Sequence, residues 1–264
     1  MYLYLLDGFS MLAVALFAAF FWRQRTHADW RWFWIGAAIW IAGVAGKLIW
    51  SVLLNPVLLG AIKGYGPDAA YLFLGALYLG INSAVWEIGV TALAARRWRN
   101  MTRNADRAAG VGVGAGAFEA GLLGIAVMIS VVVAMFDGPG AQEVRDSIVQ
   151  QSGHAPLAWF ADPVERVIAI LLHTSTRMLV LLAVVQRRRE LFWYGFGLFA
   201  FADGIAGFVI LSDALTTYSR WWLEFALLPV VVVSLAIIAW CYRHWPTVDD
   251  DAVTESALSG ISPR

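Results

Sequence analysis

Seven long apolar runs dominate this chain and decide what it can fold into. They cover about 3–22, 32–54, 70–95, 108–136, 163–185, 191–212 and 220–242. A helix needs about 20 apolar residues to cross a hydrocarbon core of roughly 30 Å, and each run meets that length. The chain is 60% hydrophobic and 14% charged, with a mean hydropathy of +0.67, values that water-soluble domains rarely combine. We therefore predict an all-α, multi-pass protein of the cell membrane with about seven transmembrane helices, in contact with lipid.

Basic residues are distributed unevenly between the two ends of these runs. Three, Lys63, Arg145 and Arg220, lie at one end. Twelve lie at the other: Arg23, Arg25, Arg31, Arg96, Arg97, Arg99, Arg103, Arg107, Arg187, Arg188, Arg189 and Arg243. Because basic loops stay in the cytoplasm, we predict an external N-terminus and a cytoplasmic C-terminus. We assign 1–246 to one transmembrane domain and expect the polar tail at 247–264 to be a disordered cytoplasmic end.

Composition and loop residues narrow the possibilities further. The 19 Lys and Arg balance the 19 Asp and Glu, which leaves no basic surface for a nucleic-acid partner. The lone Cys241 excludes a disulfide framework and a cysteine metal cluster. Turn-forming residues between Asn55 and Asp68 predict that the second helix breaks there. A short helix is expected around 141–151 in the acidic external loop.

Ionisable residues inside the apolar runs are the strongest functional signal, because burying charge in lipid is costly. Five of them lie at similar depth, ~14–21 Å from the cytoplasmic ends of their runs at about 1.5 Å per residue. They are Glu87, Glu119, His173, Arg177 and Asp203. Four helices contribute to this layer, so we predict one shared polar chamber.

Spacing adds detail to the chamber. Arg166, His173 and Arg177 are seven and four residues apart, which places them on one helical face. Closely spaced glycines precede Glu119 and predict a close helix contact beside it. They are Gly112, Gly114 and Gly116. Lys47 lies near the outer end of its apolar run, so we expect its ammonium group to extend toward the outer surface.

Four stretches of the chain carry a family resemblance. They are VWEIG at 85–89, GAGAFEA at 114–120, ERVIAILLHTSTR at 165–177 and FAFAD at 199–203. Their order and spacing resemble the YhfC family of intramembrane metallopeptidases, within the CAAX-protease-like group. The third motif is intact. Elsewhere Ile88 stands where that family usually has a second glutamate, and Ala115 and Phe199 stand where it usually has histidines.

The resemblance implies hydrolysis of a peptide bond in a membrane-embedded or lipid-proximal substrate. In such a site a carboxylate acts as general base on water, and an imidazole or a metal stabilises the oxyanion. The implied catalytic residues are Glu119, His173 and Glu87. Residues that hold substrate or pair charges would be Arg166, Arg177 and Glu165. The implied ligands of a divalent metal such as zinc are His173, Glu119 and Asp203.

Two other functions fit the same residues. A non-catalytic relative that binds a membrane partner is favoured by the replacements at Ile88, Ala115 and Phe199. A small proton-coupled transporter is the other alternative, because acids and histidines near the middle of the membrane also relay protons. The Glu119 and His173 pair could also simply fix helix packing through a hydrogen bond.

Overall fold

The computed structural model describes residues 2–64, 66, 68–136, 140–154 and 157–246, and the tail expected at 247–264 lies outside them. Within this part of the chain the structure is helical, without strands. Its α-helices are α1 (Tyr2–Thr26), α2 (Trp30–Gly64), α3 (Asp68–Arg97), α4 (Ala105–Met135), α5 (Ala141–His154), α6 (Ala161–Gln186), α7 (Arg189–Leu211) and α8 (Trp221–His244). All except α5 are long and apolar enough to cross a membrane, which confirms the all-α, multi-pass prediction.

The turns between helices follow from local chemistry. Asn104 caps α4, because its side chain accepts a hydrogen bond from the Arg107 backbone amide at 2.9 Å. Arg187 ends α6 in the left-handed conformation, with φ 56°, and α7 begins at Arg189. The short helix expected in the external loop corresponds to α5. The short connection after α6 makes α6 and α7 neighbours, whereas α4 packs against α1, α2 and α6.

The predicted break after Asn55 is wrong, because α2 continues to Gly64 with Pro56 inside it. A proline costs the helix one backbone hydrogen bond, but neighbouring helices make up for such losses in membrane proteins. Here the Tyr78 hydroxyl of α3 donates to Asn55 Oδ1 at 2.6 Å, and Trp50 Nε1 donates to the same hydroxyl at 3.0 Å. These contacts hold the outer part of α2 against α3.

Helix α6 is the centre of the bundle. Its most apolar segment is 78% buried, against 22–33% for the other six membrane-length helices. It packs against α1, α3, α4, α7 and α8, while α2 packs against α3 and α4. Large apolar side chains on the outer helices remain exposed, such as Phe17, Val52 and Ile210, and in a membrane they face lipid. The polar residues of α6 are therefore directed into protein.

The close contact between α4 and α6 depends on glycine. A Cβ atom on Gly112 would lie 2.5 Å from Thr174 Cα, and one on Gly116 would lie 2.7 Å from Ile170 Cα. Neither distance is possible without moving backbone. The predicted close approach beside Glu119 is thus confirmed, and it brings Glu119 of α4 to His173 of α6.

Candidate functional site

A small polar cavity lies where α2, α3, α4, α6 and α7 meet. Its volume is about 100 Å³. Its polar lining consists of Lys47, Glu87, Glu119, Glu165, Arg166, His173 and Asp203. Four of the five residues predicted to share one layer line this cavity, and the fifth, Arg177, is fully buried against them. The predicted polar chamber is present.

The pair of Glu119 and His173 forms one wall of the cavity. His173 Nε2 lies 2.7 Å from Glu119 Oε2. Trp40 Nε1 donates to the same carboxylate oxygen at 3.0 Å. Arg166 Nη1 donates to the other oxygen, Oε1, at 2.7 Å. Glu119 is therefore held by three side chains from two helices.

Arg177 fixes the orientation of the His173 ring. Its Nη1 contacts His173 Nδ1, and its Nη2 donates to Glu87 Oε2 at 3.4 Å. Because a guanidinium group can only donate, Nδ1 must accept and the ring proton must be on Nε2. His173 is therefore the tautomer that donates its Nε2 proton to Glu119.

Lys47 also belongs to this site, contrary to the expectation that its ammonium extends outward. Lys47 Nζ lies 2.6 Å from Glu87 Oε1 and 3.0 Å from Ser83 Oγ, and Ser83 in turn donates to Asp203. The error arises because the partners of Lys47 are on another helix, α3, and the sequence does not show that they lie beside it.

A second set of charges continues from the cavity toward the start of α6. Arg166 bridges Glu119 and Glu165, and Arg220 Nη2 contacts Glu165 Oε2 at 3.0 Å. Arg220 also pairs with Asp162. Asp7 and Glu224 are each 3% exposed. Glu165 and Arg166 are thus joined by contacts to the central pair.

Sequence reasoning missed three contributors to the site. Ser83 carried no strong signal, because single serines are common in membrane helices. Lys47 had a clear signal as a charge inside an apolar run. Trp40 had one too, since it lies within its run rather than at an interface where tryptophans usually concentrate.

Three residues converge closely enough to act as metal ligands. One ligand atom from each of Glu87, Glu119 and His173 lies within 4.8 Å of the others. Asp203, which we expected in place of Glu87, is absent from this group within the described residues and contacts Ser83 instead. By residue type and proximity, the group of Glu87, Glu119 and His173 could bind a metal ion.

The comparison with known families agrees with this site. Residues 10–224 match the family model described as YhfC intramembrane metalloprotease. The chain belongs to the YhfC intramembrane metalloprotease family. No curated protein and no solved structure matches it. Membership in the YhfC family supports a multi-pass membrane protein with a peptidase-like role, and it suggests a metal.

The surroundings of the three candidate ligands do not fit a divalent cation. Zinc sites of catalytic type combine three protein ligands with an open position. Here Glu87 contacts Lys47 and Arg177, and Glu119 contacts Arg166. The departures from the YhfC motifs add no ligand either, because Ile88, Ala115 and Phe199 are apolar and at most 1% exposed. The Phe199 ring packs edge-on against His173, with centroids 5.4 Å apart.

Proposed function

We propose that this chain hydrolyses a peptide bond of a membrane-embedded or lipid-proximal substrate, with Glu119 as the general base. The observation that carries this proposal is the pair of Glu119 and His173 on the wall of a polar cavity inside the bundle. Membership in the YhfC family supports a peptidase-like role. The cavity volume of about 100 Å³ suffices for more than one water molecule, since each occupies about 30 Å³ in the liquid.

Glu119 is a better base than Glu87 because water can reach it. Its side chain is 19% exposed, against 2% for Glu87. Oε2 of Glu119 accepts from both Trp40 and His173, whereas Oε1 accepts from Arg166. A carboxylate oxygen has two lone pairs, so Oε1 retains one for a water molecule.

The proposed reaction uses this free lone pair. Glu119 takes a proton from water while the water oxygen attacks the carbonyl carbon of the substrate. The π electrons move to the carbonyl oxygen, and the resulting oxyanion is stabilised by N–H donors that line the cavity. As the C–N bond breaks, Glu119 passes its proton to the leaving nitrogen. His173 keeps the carboxylate oriented, and Arg177 keeps His173 in the required tautomer.

An apolar groove beside the cavity supports a substrate that lies in the membrane. The groove lies between α1, α2 and α4 and has a volume of about 610 Å³. Phe118 lines it, and the ring of Phe118 packs against Trp40, with centroids 5.8 Å apart. Since Trp40 also bonds Glu119, the groove adjoins the proposed base. We expect an apolar segment of the substrate to occupy it.

A non-catalytic role in partner binding is the second candidate. It is favoured by the apolar residues at Ile88, Ala115 and Phe199 and by the number of contacts that hold Glu119. Such a protein would need the groove but not the base. The two candidates therefore differ in their response to loss of the Glu119 carboxylate.

The test compares membrane-protein fragments in cells that express the wild type, Glu119→Gln or Glu190→Gln. Glu190 is a matched control because it is an exposed glutamate that pairs with Arg188 away from the cavity. Loss of a general base lowers rates by about 10²–10⁴-fold, so fragments should disappear in Glu119→Gln and persist in Glu190→Gln. Unchanged fragments in a folded Glu119→Gln protein would remove Glu119 from catalysis.

A substitution that narrows the groove tests whether the substrate occupies it. Gly121 lines the groove, and a Cβ there would make only ordinary contacts, 3.7 Å from Leu12 Cδ1. Gly121→Leu should therefore fold and yet reduce cleavage. Gly197→Leu is the control, because Gly197 is exposed and has open space beside it. Equal cleavage by both variants would show that the substrate does not use this groove.

A further inference from the structure

Every candidate ligand atom of Glu87, Glu119 and His173 already has a polar contact within the protein. Glu87 Oε1 contacts Lys47 Nζ at 2.6 Å, and Glu87 Oε2 contacts Arg177 Nη2 at 3.4 Å. Glu119 Oε1 contacts Arg166 Nη1, and Glu119 Oε2 contacts Trp40 and His173. Both ring nitrogens of His173 are engaged as well. A metal ion would have to displace a contact of His173 and share the carboxylate oxygens with the cations already bound to them.

The centre already contains several cations without a metal. Four carboxylates, those of Glu87, Glu119, Glu165 and Asp203, line the cavity. Three permanent cations accompany them: Lys47, Arg166 and Arg177. Arg220 also contacts Glu165 and is shared with Asp162. A divalent cation would therefore compete with side-chain cations that already bind these carboxylates.

Two of these cations are directed at the space where a reacting group would lie. Lys47 and Arg166 both line the cavity, and the Lys47 side chain is 26% exposed. The third, Arg177, is fully buried and acts on Glu87 and His173. The positive charge along the cavity is therefore supplied by the ammonium group of Lys47, which contacts Glu87, and the guanidinium group of Arg166, which contacts Glu119.

We propose that Lys47, Arg166 and Arg177 take the place of a metal ion in this centre, with Lys47 as the cation that holds Glu87. If the proposed hydrolysis also holds, on which this one consequence rests, Lys47 donates to the oxyanion that a metal would otherwise stabilise.

The experiment measures metal content and thermal stability of the full chain in detergent. Wild-type protein is incubated with excess zinc, desalted and analysed for bound metal, and its Tm is recorded with and without a chelator. We expect no stoichiometric zinc and no change in Tm. About one zinc ion per chain, a Tm that falls on chelation, and loss of both effects in His173→Ala would overturn the proposal.

A variant tests the part assigned to Lys47. Lys47→Met removes the ammonium group and leaves Glu87 Oε1 without its cation, so this variant should retain more zinc than the wild type. Lys63→Met is the control, because Lys63 belongs to the same helix but lies over the Tyr71 ring, away from the cavity. A folded Lys47→Met protein with wild-type zinc content would overturn the assignment of Lys47. None of these measurements requires cleavage, so they separate this inference from the proposed function.

Discussion

At the scale of single residues, burial decides what each charge in this protein contributes. An exposed ion pair is worth about 0–1 kcal/mol, whereas breaking a buried one costs about 3–5 kcal/mol, because it leaves a charge without a partner. Arg177 and Glu87 belong to the second kind, with side chains 0% and 2% exposed. Arg188 and Glu190 belong to the first, with side chains 49% and 47% exposed.

Arg177→Met should destabilise the protein by about 3–5 kcal/mol, because both Glu87 and His173 lose a donor. The measurement is the unfolding free energy in detergent. Arg188→Met is the matched control and should leave it nearly unchanged, because water screens that exposed pair. Similar losses in the two variants would mean that the buried contacts of Arg177 carry no special weight.

Loss of the Glu224 carboxylate is expected to stabilise the protein, whereas loss of the Arg177 guanidinium destabilises it. Glu224 is 3% exposed, and both of its carboxylate oxygens are buried without a hydrogen-bond partner among the described residues. Replacing the carboxylate by an amide of the same shape removes part of that cost. Glu224→Gln should therefore raise stability by about 1 kcal/mol, seen as a higher Tm, while the exposed Glu143→Gln should leave Tm unchanged. A lower Tm in Glu224→Gln would mean that the buried carboxylate stabilises the folded protein.

At the scale of helices, the seam between α4 and α6 positions the proposed catalytic pair. Gly112 and Gly116 allow the two backbones to approach, and Glu119 lies one turn beyond Gly116 on α4. The distance between Glu119 and His173 therefore depends on residues that make no polar contact themselves. A change at the seam should alter both stability and activity.

Gly116→Ala tests this dependence. A Cβ at this position would lie 2.7 Å from Ile170 Cα, so α4 must move away from α6. We expect a loss of about 1–3 kcal/mol, typical of overpacking, together with reduced cleavage. Gly197→Ala has open space and should match the wild type in both. Wild-type stability in Gly116→Ala would show that the seam can relax without cost.

The sequence predicts the number of helices and the residues of the chamber, but not all of their partners. Long apolar runs fix the spans, and rare charges inside them identify Glu119 and His173. The sequence does not predict where α2 ends, because Asn55 and Pro56 are typical of a turn. In the structure Tyr78 of α3 contacts Asn55, and the helix continues. Lys47 is misplaced for another reason, because its partner Glu87 lies forty positions away in the chain.

At the scale of the whole molecule, the polar contacts run from one end of the bundle to its middle. Arg220, immediately before α8, contacts Glu165, and from there contacts continue through Arg166 and Glu119 to His173. In the predicted topology this end faces the outside of the cell. The orientation of the bundle in the membrane therefore determines which side of the membrane the Arg220 end of these contacts faces.

Cysteine labelling tests this orientation directly, because the single native cysteine, Cys241, is fully buried. Gly66→Cys places a thiol in the α2–α3 connection, and Asn100→Cys places one between α3 and α4. Both positions are exposed. The excess of arginines at the Asn100 end predicts that this end is cytoplasmic. An impermeant maleimide should therefore label Gly66→Cys in intact cells and Asn100→Cys only after lysis, with no labelling of the wild type. The reverse pattern would invert the topology and put the Arg220 end of these contacts on the cytoplasmic side.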